Sequence, residues 1–105
     1  MTLDVEIARK LLLSFLKSGA GILITSRAHA EARIDFGLTA AGIIAESIKN
    51  LEGGVNLTMT EQSTGSTGWV IKPEIDEVPA YLKFCIEDVK DKMIMTIVSA
   101  HKQVK

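Results

Sequence analysis

The chain has 105 residues, 47% apolar and 24% charged, with a formal net charge of −1 at pH 7. That composition excludes a disordered chain and a two-lobed enzyme, and predicts a single domain over residues 1–105 with a core of its own. The near-neutral charge excludes a global pull toward nucleic acid, so any RNA binding needs a local cationic patch, and the lone Cys85 excludes an intrachain disulfide.

At the N-terminus, Asp4 and Glu6 precede the short run Leu11-Leu12-Leu13, and Lys17 follows soon after. Without a basic leader this is neither a signal peptide nor a membrane span, and it predicts a soluble, cytoplasmic protein. Val5, Ala8, Leu12 and Phe15 recur at helical spacing, so Asp4 to Lys17 is predicted helical, with Thr2 as a candidate N-cap and Gly19 and Gly21 as the stop. Ile22-Leu23-Ile24-Thr25 reads either as a buried strand or as an extended lead into the next element. Ser26 can cap a short helix through Phe36 that Gly37 closes, and Thr39 can cap another that carries Ile43, Ile44, Ile48 and Leu51 and stops at Gly53-Gly54.

The pattern then changes to strands: Asn56–Thr60, Trp69–Lys72, Tyr81–Ile86 and Met93–Val98. Ser63 to Gly68 reads as a hairpin connection and not a phosphate-binding loop, because no Gly-Lys-Ser/Thr follows and no helix begins there. Pro73 and Pro79 are expected to bracket a loop. Helices first and strands after predict an α+β fold, with N-terminal helices packed on a curved antiparallel sheet of about four strands. Cys85, inside an apolar strand, reads as a packed thiol.

The chemistry-bearing residues gather at the open end of the C-terminal hairpin. Tyr81 and Lys83 begin one strand, and His101 and Lys102 end its partner, so antiparallel pairing brings them together. RNA cleavage makes modest demands, because the ribose 2′-OH is itself the nucleophile: its proton must be removed, phosphate charge stabilised and the leaving oxygen protonated. His101, whose ordinary pKa near 6.5 suits proton transfer, and Tyr81 are the candidate catalytic residues. Lys83 and Lys102 are candidate phosphate binders, as are His29 and Arg33, four apart on one helix face. The same residues also fit a solvated strand end and a helix laced by ion pairs from Arg27 and Arg33 to Glu31 and Asp35. Register decides the hairpin, since a one-residue slip moves His101 to the opposite face. Two histidines and one cysteine without ligand spacing imply no metal, and nothing implies a cofactor. Trp69 fits a core anchor, an interface anchor or a base-stacking platform.

Several short motifs occur in a telling order: Thr25-Ser26-Arg27-Ala28 leading into a helix, Gly37-Leu38-Thr39 opening the next, Met59-Thr60, Trp69 before a proline-containing loop, Tyr81-Leu82-Lys83-Phe84, and Ile97-Val98-Ser99 with a basic residue soon after. In this order, over most of the chain, they resemble the MqsR-like branch of the small RelE-type messenger-RNA interferases, toxins of toxin–antitoxin pairs. The resemblance implies a compact α+β ribonuclease that cleaves messenger RNA without a metal and is silenced by a cognate antitoxin. Tyr81 matches the family's active-site tyrosine. Leu57 stands where the family has a lysine, Val70 follows Trp69 where it has a glutamine, and His101 falls near a C-terminal lysine. The competing expectation is a noncatalytic interaction module, a homodimer pairing through an exposed strand or the Trp69 region.

Overall fold

The computed structural model describes residues 4–61 and 67–103. Helix α1 (Val5–Ser18) starts at Asp4, whose carboxylate accepts from the Ile7 N–H at 2.9 Å, and ends at Gly19, left-handed at φ 74°. The expected cap Thr2 lies outside the described residues; Asp4 takes that role, where its negative charge also suits the helix N-terminus. Strand β1 (Ile22–Ile24) runs directly into α2 (Ser26–Phe36). Thr25, not Ser26, caps α2, with Oγ1 accepting from the Ala28 N–H at 3.0 Å. Thr39 caps α3 (Ala40–Glu52) as its position predicts. The buried Ser47 hydroxyl of α3 donates to the Ile43 carbonyl at 2.7 Å, which satisfies it inside the core. Arg9 ties α1 to the end of α3 by donating to the Leu51 and Val55 carbonyls at 2.9 and 2.7 Å.

The remaining strands are β2 (Leu57–Glu61), β3 (Thr67–Ile71), β4 (Glu74–Ile75), β5 (Val78–Val89) and β6 (Lys92–Lys102). They form a six-stranded sheet in the order β1-β6-β5-β3-β2, with β4 on β5, and every pairing is antiparallel except β1 with β6. The α+β class holds, and the count of about four strands is corrected by β1 and β4. Pro79 does not bracket a loop: it lies inside β5 opposite Glu74. Proline fits there because the sheet uses its carbonyl, which accepts from the Gln103 N–H at 3.0 Å. Of the expected 63–68 connection, residues 63–66 lie outside the described residues, and Thr67 and Gly68 already belong to β3.

One sheet face packs on the helices. Trp69, Ile71, Leu82, Phe84, Met95 and Ile97 meet Ala8, Leu12, Ala28, Ala32, Ile43 and Leu51 in one buried cluster. Burial of such side chains, at about 1.5–3 kcal/mol each, is what holds the layers together. Trp69 is 1% exposed, which makes it a core anchor and removes it as a base-stacking or interface residue. Among the described residues no helix is long and apolar enough to cross a membrane.

Two hairpins close with residues that carry side chains in the left-handed region. Asp76 and Glu77 have φ of 50° and 68°, and Lys90 and Asp91 have φ of 50° and 64°, both positive as a type I′ turn requires. That conformation costs an L-residue about 1–2 kcal/mol, against about 0.5–1 kcal/mol for the extra chain entropy of glycine. Asp91→Gly is therefore expected to stabilise the protein by up to about 1.5 kcal/mol. Urea unfolding checks it, and a loss of stability would contradict the strain argument.

Candidate functional site

The long hairpin of β5 and β6 is irregular at one place. Phe84 pairs with Ile97, but the next residue of β5, Lys83, pairs with Ser99, so Val98 is an extra residue on β6. Before the bulge Met95 and Ile97 face the helices; had the alternation continued, Ser99 and His101 would face them too. The bulge reverses the faces. Ala100 turns to the core, and Ser99 and His101 come to the open face beside Lys83 and Tyr81, their direct partners. The register on which the hairpin chemistry depends is thus the one that unites Tyr81, Lys83 and His101.

Tyr81 and His101 stack, with ring centroids 5.1 Å apart and planes 13° from parallel. His101 Nδ1 lies 2.6 Å from the Lys102 carbonyl oxygen. A carbonyl only accepts, so the neutral ring carries its proton on Nδ1 and presents an unprotonated Nε2. That is the form a general base requires.

Around this pair lies an open cleft of about 460 Å³, lined by Arg27, Lys72, Tyr81, Lys83, Ser99, His101 and Gln103. None of these described lining residues is acidic, and three, Arg27, Lys72 and Lys83, are basic. A chain with a net charge of −1 therefore carries a local site suited to a phosphodiester. Arg27 comes from the start of α2, and Lys72 is brought alongside Tyr81 by the Ile71–Leu82 pairing. Sequence reasoning missed both. Arg27 looked like half of an ion pair with Glu31, which it also is at 3.2 Å, and nothing local to Lys72 predicts that β3 lies next to β5.

The other expected phosphate binders lie elsewhere. Lys102 pairs with Ala80 and sits on the opposite face from His101, because consecutive strand residues alternate. It borders an adjoining groove that shares Arg27, His101 and Gln103 with the cleft and also takes in Glu31, Ile34 and Asp35. His29 and Arg33 share a depression of about 320 Å³ with Ile24, Ser26 and Ala30, and neither lines the cleft. The expected acid–base lattice on α2 is only partly formed: Glu31 pairs with Arg27, while Asp35 accepts instead from the Lys102 backbone N–H at 2.9 Å. Leu57 and Val70, which stand where the resemblance has polar residues, are each 4% exposed.

Cys85 is 5% exposed, and burial first of all raises its thiol pKa above the usual 9.0, with Lys83 lowering it and Glu87 raising it less. The thiol thus stays protonated at neutral pH and is expected to react slowly with iodoacetamide until the protein is unfolded. Because the folded pKa is raised, its contribution to stability is complete below the unfolded thiol's pKa and falls as pH climbs through the folded value. Labelling of the native protein as fast as in denaturant would contradict this placement.

Comparisons with protein-family models, curated proteins and solved structures give no match to this chain.

Proposed function

We propose that the protein is a metal-independent endoribonuclease of the messenger-RNA interferase kind, a toxin acting in the cytoplasm and restrained by a cognate antitoxin. The observation that carries this reading is the stacked Tyr81–His101 pair, with Nδ1 of His101 engaged, in a cleft with Arg27, Lys72 and Lys83. Nε2 of His101 takes the proton from a ribose 2′-OH, and the 2′-oxygen attacks the adjacent phosphorus. The bond to the 5′-oxygen breaks, leaving a 2′,3′-cyclic phosphate on one fragment and a 5′-hydroxyl on the other. Tyr81 supplies the proton to the leaving oxygen, and the three cations offset the charge that builds on the phosphate. The motif order shared with RelE-type interferases, Tyr81 above all, supports the same reading.

The test is incubation of purified protein with mixed-sequence RNA in excess EDTA, with and without ribosomes. Fragments in either arm agree with the proposal, and intact RNA in both overturns it. The alternative is then a noncatalytic homodimer pairing through an exposed strand. For that reading β2 is a sheet edge whose Met59 is 49% exposed, and mass in solution would rise with concentration.

A further inference from the structure

The outer edge of β6 changes partner halfway along its length. Over Met95–Ile97 it pairs with β1, and the Thr25 N–H closes that pairing by donating to the Ile97 carbonyl at 3.1 Å. The chain then becomes α2, and the next outward N–H groups of β6 meet side chains in place of a strand. Ala100 N–H donates to Glu31 Oε1 at 3.3 Å, and Lys102 N–H donates to Asp35 Oδ2 at 2.9 Å. These two groups flank His101.

The match is geometric. Four residues of helix advance about 6 Å and two residues of strand about 6.7 Å, so carboxylates at i and i+4 meet strand donors at i and i+2. Ala28 and Ala32, both fully buried, have side chains small enough to let α2 lie close against the sheet. Glu31 does a second thing: its other oxygen accepts from Arg27 Nε at 3.2 Å. Nε is the nitrogen engaged, so the terminal nitrogens are the donors that Arg27 brings to the cleft it lines.

We propose that Glu31 and Asp35 are positioning residues, which hold the His101 segment of β6 and the Arg27 guanidinium from behind the cleft. The inference rests on the ribonuclease reading for its kinetic consequence, though its geometry does not. Neither carboxylate lines the cleft itself; both line the adjoining groove on the other side of Arg27 and His101. Negative charge this near an RNA site weakens phosphate binding, so removing it for electrostatic reasons alone would help the enzyme. Removing a positioning contact does the reverse. The two effects have opposite signs.

The experiment uses Glu31→Ala and Asp35→Ala in the full chain, which remove the acceptor oxygens, beside Glu31→Gln and Asp35→Asn, which lose the charge but keep an oxygen able to accept, with mixed-sequence RNA as substrate. Positioning predicts a fall in kcat of roughly 10–100-fold in both alanine variants, the scale expected when a reacting group is displaced by about an ångström, with KM unchanged in Asp35→Ala and raised in Glu31→Ala, which also frees Arg27. Unchanged kcat with tighter RNA binding means that the carboxylates only repel substrate, and overturns the proposal. Proton NMR of the His101 ring separates this from the ribonuclease reading, because the ring protons sense the stacked Tyr81. Shifted ring resonances in Asp35→Ala support positioning even if the wild-type protein cuts no RNA, in which case the ribonuclease reading alone fails. Resonances unmoved in both alanine variants overturn the positioning role whatever the activity. Each single variant is read by itself, so the readout does not depend on a double variant folding.

Discussion

His101→Ala is expected to slow RNA cleavage by roughly 10²–10⁴-fold, the range in which a positioned proton-transfer group contributes. The loss should be in kcat, because Arg27, Lys72 and Lys83, the basic side chains that line the cleft, are left in place. Stability should change little: His101 is half-exposed, its ring packs on Tyr81, and the backbone contacts of its neighbours do not involve the imidazole. Initial-rate kinetics beside thermal melting check both parts. Unchanged cleavage would remove His101 from the mechanism, whereas a large drop in melting temperature would make it a structural residue.

Trp69→Ala is expected to have the largest effect on stability. The side chain is fully buried between the sheet and the helices, and deleting a large buried aromatic typically costs about 3–5 kcal/mol through lost burial plus the cavity left behind. Net stability of a domain this size is about 5–15 kcal/mol, so much of it would go. Trp69→Phe should cost much less. Its ring still fills most of the space, and the substitution removes an indole N–H that is buried without a hydrogen-bond partner among the described residues. Denaturant unfolding of both variants checks the order, and a Trp69→Ala protein near wild-type stability would contradict the packing described here.

The helices were legible because their signals are local. Thr39 as cap and Gly19 and Gly37 as left-handed stops act within a turn of themselves. Thr25 and Ser26 are both capping residues, and the choice between them depends on Thr25 also ending a strand against Ile97, which no local pattern records. For the same reason β1 stayed ambiguous: its parallel partner lies in the last strand of the chain. Strand β4 has two residues near two prolines, too short for alternation to mark it. In the site, the pairing of strand ends brought Tyr81, Lys83 and His101 into view from sequence. Lys102 was grouped with His101 by adjacency, although neighbours in a strand face opposite ways. The bulge at Val98, which decides the face of His101, leaves no more trace than one extra apolar residue after Ile97.

The central claim is that RNA is cut by the 2′-OH route at the Tyr81–His101 cleft, and end chemistry tests it most directly. RNA incubated with the protein in excess EDTA is analysed by mass spectrometry for the group left at each new 3′ end, with His101→Ala beside it. The account predicts 2′,3′-cyclic phosphate or its hydrolysis product opposite 5′-hydroxyl ends, both nearly absent with the variant. Fragments with 3′-hydroxyl and 5′-phosphate ends, or the same yield from the variant, would contradict it.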